Sequence, residues 1–307
     1  MHVIEQTSVG APEVLQLTEA PMPVPGPGEV RIRVAAAGIN PVDAMVRAGA
    51  IPLLGDPPFR VGWDAAGRID ALGEDVTGFA IGDRVMGLIR FPEQVGAYAQ
   101  FINAPAAQLA RIPDLMTDEA AGALPLAGLT AWQALVSHGR IKSGQKVFVH
   151  AGGGGVGHIA VQIAKAHGAE VWATASAGKI ETVRSLGADH VIDYKEQDFA
   201  ASGPFDLILD HAGGEHVGRS LDALKPGGHV TTLLDPGEEI TARAEREGKT
   251  LVWMMVKPDA AGLTAMGELV RAGQLKVLIG GSFPLAQAAQ AHQALARSPL
   301  GKIVLTV

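Results

Sequence analysis

The sequence predicts an α/β protein that combines a doubly wound parallel sheet with a second, β-rich domain. Residues 118–256 alternate strand-like and helix-like segments, and residues 29–103 contain short β-type segments separated by Gly or Pro. A glycine-rich motif follows the first strand of the alternating part. The length of 307 residues accommodates two domains of about 150 residues each.

The β-rich part begins after a turn-forming segment of Pro and Gly at residues 21–28. Directly after it, Val30, Ile32 and Val34 alternate with charged residues, which is typical of a half-buried strand over residues 29–35. Further strands are predicted at residues 67–72, 83–89 and 96–103. Short strands separated by turn residues indicate a β-barrel or a rolled sheet.

The alternating part starts near residue 118. Its first elements are a helix at residues 126–139, a strand at 146–150 and a helix at 156–167. Further strands are predicted at residues 170–174, 190–193, 206–210, 229–234 and 250–256, with helices at 179–186 and 217–224. This alternation predicts a parallel, doubly wound sheet. Residues 263–307 add two helices and two strands, at 276–280 and 302–307, and composition leaves open which domain they join.

Composition argues against several classes of function. Aromatic residues make up 5% of the chain, and 32 acidic against 25 basic residues give a net charge of −7, which disfavours binding to nucleic acid or an anionic membrane. No apolar segment reaches the roughly 18 residues of a membrane-spanning helix, and residues 1–10 do not resemble a signal peptide. We therefore expect a soluble cytoplasmic protein whose partners are small molecules.

The chain contains no cysteine. Disulfides, thiolate nucleophiles and cysteine-bound zinc or iron–sulfur clusters are therefore excluded. The histidines do not suggest a metal site either, because His211 and His216 are five positions apart rather than at the i, i+4 spacing of a helical zinc pair. We expect a protein without a bound metal.

The sequence GGGGVG between a predicted strand and a predicted helix has the G-x-G-x-x-G spacing of dinucleotide-binding loops. Gly152 would form the turn, Gly154 would let the main chain approach a pyrophosphate, and Gly157 would let the strand and helix pack closely. Gly155 and Val156 complete the loop. The phosphates would lie at the positive N-terminus of the helix.

The residues after the next strand indicate which nicotinamide cofactor is bound. NAD-binding proteins carry a carboxylate about 20 residues after the glycines, where it binds the ribose hydroxyls, but residues 171–180 contain none. Ser176 and Lys179 instead offer hydroxyl and ammonium donors to an adenosine 2′-phosphate. We therefore predict NADPH rather than NADH. The alternative for Lys179 is the exposed start of a helix.

Motifs spread over nearly the whole chain carry a family resemblance. They are AAGINPVD at residues 36–43 followed by RAG at 47–49, GWDAAG at 62–67 leading into GDRV at 82–85, LAGLTA at 126–131, AGGGGVG at 151–157, RSLGAD at 184–189, DHAGG at 210–214 and GKIVL at 301–305. Together they resemble the medium-chain dehydrogenase/reductase superfamily, specifically its zinc-free quinone oxidoreductase branch, to which zeta-crystallin belongs.

The resemblance implies a domain organisation. Residues 1–118 and 262–307 would form a GroES-like β-barrel domain that binds substrate, residues 119–261 would form a Rossmann domain that binds NADP, and the active site would lie in the cleft. It also implies that Tyr194 lies beside the adenosine 2′-phosphate. Without the resemblance, Tyr194 is an ordinary aromatic residue at the end of a strand.

The zinc alcohol dehydrogenases of the same superfamily need ligands that this chain lacks. Asn40 stands where they have a catalytic cysteine, and Trp63 and Asp64 stand where they have a His-Glu pair. Without a metal, alcohol oxidation loses the main stabilisation of the alkoxide. The expected reaction is therefore hydride transfer from NADPH to a quinone or to another electron-poor acceptor, such as an enone or alkenal double bond.

By resemblance, Asn40 and Thr130 would line the nicotinamide end of the site, with Asp43, Arg47 and Trp63 nearby in the substrate cleft. Each of these residues also has a structural interpretation. The structural alternatives are a turn residue before a proline for Asn40 and a hydroxyl inside a helix for Thr130. They are a helix cap for Asp43, a surface cation for Arg47 and a core aromatic for Trp63.

A proton donor is missing from its expected position. Several relatives carry a tyrosine two residues after Asp43, where this chain has Met45. The only tyrosines are Tyr98 and Tyr194, so we expect water to protonate the product, which favours quinones over enones. A candidate apolar acceptor pocket, or else plain core, consists of Met45, Met86, Leu88 and Phe91.

Other functions stay open at this point: an enone or alkenal reductase, a zinc-independent carbonyl reductase, and a non-catalytic NADPH-binding partner protein. The apolar strand at residues 250–256 comes last in the parallel series and is expected at the sheet edge. An exposed apolar edge strand tends to pair with a second copy. We therefore predict a homodimer through the cofactor domain.

Overall fold

A computed structural model describes residues 1–213 and 215–307. Gly214, the last residue of the DHAGG motif, lies outside the described residues. The chain divides into two compact units. The first unit comprises Met1–Leu129, Lys257–Ala272 and Val277–Val307, and the second comprises Thr130–Val256 and Gly273–Lys276.

Fifteen β-strands and nine α-helices are the main regular elements of the described residues. Up to residue 132 they are β1 (His2–Glu5), β2 (Gln16–Glu19), β3 (Glu29–Ile39), α1 (Pro41–Ala48), β4 (Asp64–Leu72), β5 (Arg84–Leu88), β6 (Phe101–Pro105), β7 (Ala110–Arg111), α2 (Asp118–Ala123) and α3 (Pro125–Trp132). They continue as β8 (Lys146–Val149), α4 (Gly157–Ala166), β9 (Glu170–Ala175), α5 (Ile180–Ser185), β10 (His190–Asp193), β11 (Phe205–Asp210), α6 (Glu215–Asp222) and β12 (Leu224–Thr232). The last elements are α7 (Gly237–Arg246), β13 (Thr250–Trp253), α8 (Ala260–Arg271), β14 (Ile279–Pro284), α9 (Ala288–Leu295) and β15 (Lys302–Thr306).

The first unit is built on a mostly antiparallel seven-stranded sheet. Its strand order is β14-β15-β3-β4-β5-β7, with β6 also paired to β3, and β1 and β2 form a separate antiparallel pair. The alternation in the sequence has the expected cause, because Val30, Ile32 and Val34 of β3 are buried. This unit is the β-rich domain that the sequence predicts.

The second unit contains a wholly parallel six-stranded sheet with the order β10-β9-β8-β11-β12-β13. Counted from β8, this is the 3-2-1-4-5-6 order of a Rossmann fold. Its core includes Phe148, Phe205, Ile208 and Val230. The order reverses between β8 and β11, and ligands of such folds bind at the carboxyl ends of strands at this point. The predicted fold class is confirmed.

Two predicted strands have other bounds in the structure. The strand expected at residues 276–280 is β14 instead. Gly280 lies inside this strand, at a position where a Cβ would overlap the carbonyl oxygen of Leu300. The strand expected at residues 96–103 is reduced to β6. Gly96 has a φ of 70°, and the N–H of Ala97 donates to Gly62, so this segment follows a loop path.

Other elements differ in extent. The helix expected at residues 126–139 consists of α3 followed by a π-helical segment, Gln133–His138. The strand expected at residues 229–234 is the longer β12, and the strand expected at 250–256 ends with β13 at Trp253. Among the described helices, none is long and apolar enough to cross a membrane.

The compact units divide the chain at positions other than 118/119 and 261/262. Helix α2 belongs to the first unit because it packs on β3 so closely that a Cβ on Gly122 would lie 2.7 Å from the carbonyl oxygen of Ala36. Residues 273–276 belong to the second unit, where the side chain of Gln162 binds both the N–H (2.8 Å) and the carbonyl oxygen (2.9 Å) of Lys276.

Candidate active site

The glycine-rich segment connects β8 to α4 in the second unit. The N–H of Gly152 donates to the carbonyl oxygen of Thr174 (2.7 Å), and the N–H of Ala151 donates to Thr174 Oγ1 (2.9 Å). The turn is closed by the N–H of Gly154, which donates to the carbonyl oxygen of Ala151 at 2.8 Å. These bonds tie the loop to β9 and fix the point where α4 begins.

Close packing requires two of the glycines. A Cβ on Gly157 would overlap the carbonyl oxygen of Ala151, and a Cβ on Gly152 would lie 2.9 Å from the Cβ of Ala173. Ala151 has a φ of 45°, in the left-handed region. The loop therefore has the tight contact between its main chain and the first helical turn that dinucleotide-binding loops need.

The start of α4 offers main-chain donors to a ligand. Within the described residues, no group accepts a hydrogen bond from the N–H of Gly155 or of Val156. Helix α4 has ten residues, so its N-terminus carries a partial positive charge. The loop therefore fits the diphosphate of a dinucleotide.

The three residues expected near the adenosine phosphate lie together. Strands β9 and β10 are parallel neighbours with Ala175 opposite Asp193, so Ser176 and Tyr194 follow these strands at the same edge of the sheet. The Tyr194 side chain is 56% exposed. Lys179 is half-buried, and burial lowers the pKa of its ammonium. This edge also carries the glycine loop, which follows β8.

Asn40 occupies the centre of a buried polar cluster in the first unit, between β3 and α1. Its N–H donates to Asp43 Oδ2 (2.7 Å) at the N-terminus of α1. Asp43 therefore caps this helix. Its Nδ2 donates to Asp64 Oδ2 (2.9 Å), and its Oδ1 accepts a hydrogen bond from Lys302 Nζ. Asn40 therefore joins a helix start to a buried ion pair.

Asp64 and Lys302 form that buried ion pair. Asp64 Oδ1 accepts the N–H of Leu126 (2.7 Å), and Oδ2 lies 3.8 Å from Lys302 Nζ, which also donates to the carbonyl oxygen of Ile39 (3.0 Å). Burial raises the pKa of Asp64 to about 6 and lowers the pKa of Lys302. Each charge therefore depends on the other to remain in the interior.

A second chain of hydrogen bonds starts at Asp43. The Tyr98 hydroxyl donates to Asp43 Oδ2 (2.6 Å) and lies 3.3 Å from His292 Nε2, whose ring places Nδ1 3.5 Å from Arg47 Nη1. Gly62 makes room for this arrangement, because a Cβ there would lie 2.6 Å from the Tyr98 ring. Asn40, Asp43 and Arg47 thus belong to one connected network.

Tyr98, His292 and Lys302 are members of this network that sequence reasoning does not assign to the site. Tyr98 is separated from Asp43 by 55 residues and from His292 by 194, so no local spacing relates them. Lys302 lies in the GKIVL motif, which marks the family and does not by itself reveal a buried ammonium.

Two predicted residues lie outside the network. Trp63 is fully buried, its Nε1–H donates to the carbonyl oxygen of Glu93 (2.7 Å), and its ring packs edge-on against Phe91 with centroids 5.2 Å apart. Thr130 is buried in α3 and is the first residue of the second unit. The surroundings of Trp63 are those of a core aromatic.

The candidate acceptor pocket is not gathered on one surface. Met86 and Leu88 are fully buried in β5, and Phe91 is buried against Trp63. Met45 is exposed on α1. The core interpretation therefore describes Met86, Leu88 and Phe91.

Comparison with known proteins gives the family. Residues 26–114 match the alcohol dehydrogenase GroES-like domain, and residues 186–305 match a family described as zinc-binding dehydrogenase. The quinone oxidoreductase of Rattus norvegicus is 31% identical over 327 residues, which cover 99% of this chain and 97% of that protein. The chain belongs to the medium-chain dehydrogenase/reductase superfamily. Within this superfamily it falls in the quinone oxidoreductase branch, and it is an oxidoreductase.

Other members of the superfamily show the range of relatives. The 2-haloacrylate reductase of a Burkholderia species is 34% identical, with 88% of each chain covered. A segment of the polyketide synthase GfsB of Streptomyces halstedii is 37% identical and matches 89% of this chain, which spans only 5% of that much longer protein. Among solved structures, the quinone oxidoreductase from Coxiella burnetii has a TM-score of 0.94 at 33% identity, covering 100% of this chain and 99% of its own. The Escherichia coli quinone oxidoreductase complexed with NADPH has a TM-score of 0.89 at 28% identity, with both chains fully covered.

The residues at the zinc position of the alcohol dehydrogenases do not fit zinc in this member of the superfamily. By the family resemblance, Asn40 and Trp63 stand at ligand positions, where they offer an amide and an indole. The Asp64 carboxylate next to Trp63 is bound to an amide and paired with an ammonium. In the part of the chain that the structure describes, no three His, Asp or Glu side chains are placed to hold a metal ion.

Proposed function

We propose that this enzyme transfers hydride from NADPH to a quinone or another electron-poor acceptor, without zinc. The observation that carries the proposal is the packing of Gly157 against Ala151, which brings the main chain to the N-terminus of α4 and presents two N–H donors there. The solved NADPH complex of the Escherichia coli quinone oxidoreductase supports the choice of cofactor.

The chain's own residues would hold the cofactor along the carboxyl edge of the parallel sheet. The amides of Gly155 and Val156 would bind the diphosphate, and Ser176, Lys179 and Tyr194 would hold the adenosine 2′-phosphate. Bound NADPH supplies a hydride. Thr130 and Asn40 would orient the nicotinamide end, as the family resemblance implies.

The ion pair of the first unit supports a zinc-independent reaction. Lys302 places an ammonium group between Asn40 and Asp64, beside the residues that, by the family resemblance, correspond to zinc ligands. A divalent cation bound there would face this ammonium. The acceptor must therefore react without a metal Lewis acid, which favours quinones and conjugated double bonds over alcohols.

Reduction of a conjugated double bond is the second candidate reaction. A 2-haloacrylate reductase and a polyketide synthase segment are among the relatives, and the solved neighbours include the CurK enoyl reductase. The observation that favours this reaction is the buried carboxyl of Asp43, because an enone needs a proton as well as a hydride.

The acceptor class is tested by mixing the NADPH-loaded protein with a panel of acceptors and following NADPH oxidation. The panel contains 9,10-phenanthrenequinone, a naphthoquinone, an alkenal and a saturated aldehyde. The proposal expects oxidation by the quinones and rejection of the saturated aldehyde. Oxidation by the alkenal alone would establish the double-bond reductase, and oxidation by the aldehyde would establish a carbonyl reductase. NADPH binding without oxidation by any acceptor would establish a non-catalytic binding protein.

Cofactor preference is expected to depend on Lys179. Replacing it with alanine removes a charge-assisted contact to the 2′-phosphate, so the KM for NADPH should rise by about tenfold or more while the KM for NADH stays nearly constant. Steady-state kinetics with both cofactors measure this. Lys142→Ala, an exposed lysine of the same unit, serves as the matched control. An unchanged preference in Lys179→Ala would remove Lys179 from the phosphate site.

A homodimer through the cofactor unit is also expected. Strand β13 lies at the edge of the parallel sheet, and Trp253 on it is 58% exposed. Pairing with a second copy would cover both the open edge and the indole. Light scattering at micromolar concentration should therefore give a dimer for the wild type and a monomer for Trp253→Lys, whereas Leu115→Lys, which changes an exposed residue of the first unit, should remain dimeric. A monomeric wild type would contradict the prediction.

A further inference from the structure

We infer that Asp43 donates the proton that completes acceptor reduction, and that Tyr98 and His292 are positioning residues that place this proton on Asp43 Oδ1. The inference rests on the proposed function, because it assigns the second half of the same reaction. It also supplies a donor where the sequence offers none, since Met45 stands in the tyrosine position of several relatives.

The two oxygens of Asp43 have different environments. The carboxyl group is fully buried, and Oδ2 accepts both the N–H of Asn40 (2.7 Å) and the hydroxyl of Tyr98 (2.6 Å). Oδ1 is buried as well, but it has no hydrogen-bond partner among the described residues. An ionised oxygen in that position would be strongly disfavoured, whereas a protonated Oδ1 is neutral and has a hydrogen to offer.

The direction of the hydrogen bonds fixes which oxygen carries the proton. A guanidinium only donates, so the contact of Arg47 makes His292 Nδ1 an acceptor and leaves the ring hydrogen on Nε2. Nε2–H then donates to the Tyr98 oxygen. The single hydroxyl hydrogen of Tyr98 therefore points to Asp43 Oδ2, which cannot also hold a proton of its own.

The surrounding charges keep this arrangement available near neutral pH. Burial raises the pKa of Asp43 to about 7, and the carboxylate of Asp64 adds to this effect, while the hydrogen bonds from Tyr98 and Asn40 and the charge of Lys302 oppose it. Burial and the nearby charge of Arg47 lower the pKa of His292 to about 3, so its ring stays neutral. Glu13, the remaining charged group acting on Arg47, favours the charged guanidinium.

The chemical step balances without a further reagent. Addition of a hydride to a quinone or enone leaves an oxyanion that lacks one proton. The Oδ1–H bond of Asp43 breaks, the proton forms a bond to that anion, and the electron pair remains on Oδ1. The resulting carboxylate regains a proton from water, which restores the starting state.

The decisive variant is Asp43→Asn. An asparagine keeps the size of the side chain, and its carbonyl oxygen can accept the same bonds from Asn40 and Tyr98, while its NH₂ takes the place of protonated Oδ1. It has no transferable proton. With an alkenal or enone as acceptor, kcat should fall by about 100-fold or more, the decline of activity near pH 7 should disappear, and KM for NADPH should stay unchanged.

Tyr98→Phe tests the positioning role. Oδ2 loses a donor that favours the charged carboxylate, so the pKa of Asp43 should rise and the alkaline decline of kcat should move to higher pH. A merely structural role would lower activity without moving the pH profile. His292→Leu removes the N–H donor to Tyr98 and should shift the pH profile of kcat. His292→Gln keeps an N–H donor toward Tyr98 and should have the pH profile of the wild type.

Infrared titration of the cofactor-free protein provides a readout besides activity. The wild type should show two carboxylic C=O bands, one of Asp64 that disappears near pH 6 and one of Asp43 that disappears near pH 7. The band that disappears near pH 7 should be absent in Asp43→Asn and shifted to higher pH in Tyr98→Phe, while the Asp64 band remains in both variants. Asp70→Asn, the same change in a half-buried carboxylate of the first unit, should retain both bands and the activity.

The outcomes separate the two proposals. A folded Asp43→Asn with wild-type kcat and an unchanged pH profile, or a wild type without the band that disappears near pH 7, would overturn the inference while leaving the proposed function in place. If none of the acceptors in the panel oxidises NADPH bound to the wild type, the proposed function is overturned. The role of Asp43 in that reaction is then overturned as well.

Discussion

Replacing Gly157 with alanine is expected to weaken NADPH binding by about 100-fold, which corresponds to about 3 kcal/mol. The new Cβ would overlap the carbonyl oxygen of Ala151, which belongs to the main chain and cannot rotate away. The first turn of α4 must then move out from the loop, and the N–H groups of Gly155 and Val156 move with it. Isothermal titration calorimetry of the purified protein measures the change in Kd.

Gly218→Ala is the matched control for this experiment. Gly218 lies in helix α6 of the same unit, and a Cβ there would meet Ile240 Cδ1 at 3.5 Å and Arg243 Nη1 at 4.0 Å, both ordinary contacts. This variant should bind NADPH like the wild type. A folded Gly157→Ala protein with an unchanged Kd would show that the loop does not bind the diphosphate.

Replacing Lys302 with methionine is expected to lower the free energy of unfolding by about 3–5 kcal/mol at pH 8. The change removes the only cation paired with Asp64 among the described residues, and it deprives Asn40 Oδ1 and the carbonyl oxygen of Ile39 of a donor. A buried carboxylate without its partner is strongly destabilising. Urea unfolding measures the effect, and Lys142→Met at an exposed site should have little influence.

The pH dependence of this loss follows from Asp64. Its pKa is already raised to about 6 by burial, and removal of the ammonium raises it further. At pH 5 the carboxyl is mostly protonated in both proteins and needs no cation. At pH 8 the wild type holds it as an ion paired with Lys302, whereas the variant must bury an unpaired carboxylate or take up a proton, so the destabilisation should be smaller at pH 5. Addition of Asp64→Asn to the variant should recover part of the stability at pH 8. An equal loss at both values of pH would contradict the assignment of the ion pair.

The glycine loop could be predicted because its requirements are local. A strand, three glycines and a helix follow one another in the sequence, and the need for Gly157 arises from a contact with Ala151 only six positions away. The shared position of Ser176 and Tyr194 could be predicted for a related reason, because parallel neighbouring strands bring their carboxyl ends to one edge of the sheet. Family resemblance was needed only to connect Tyr194 with the phosphate.

The buried network could not be predicted, because pairing between distant strands creates it. Ile303 lies opposite Ile39 in the antiparallel pair of β15 and β3, and this register brings Lys302 next to Asn40 across 262 residues of sequence. The contact of Tyr98 with Asp43 depends on the loop path set by the positive φ of Gly96. The alternating pattern suggests a strand there instead.

The glycines near the C-terminus show a further limit of sequence patterns. Gly280 and Gly281 have the composition of a turn, which places the predicted strand before them. In the structure both belong to β14. A Cβ on Gly280 would overlap the carbonyl oxygen of Leu300, and a Cβ on Gly281 would lie 2.8 Å from Ile303 Cδ1, so glycine is needed here inside a strand. The sequence does not record this close approach, so two glycines inside a strand cannot be distinguished from a turn.

The central claim, hydride transfer from NADPH without zinc, is tested most directly by a single-turnover experiment. Protein treated with a chelator is loaded with NADPH, mixed anaerobically with 9,10-phenanthrenequinone, and followed by the absorbance of the reduced nicotinamide. The account predicts one NADPH oxidised per quinone, at a rate that neither the chelator nor added zinc changes. A reaction that stops after chelation and returns with zinc would contradict it.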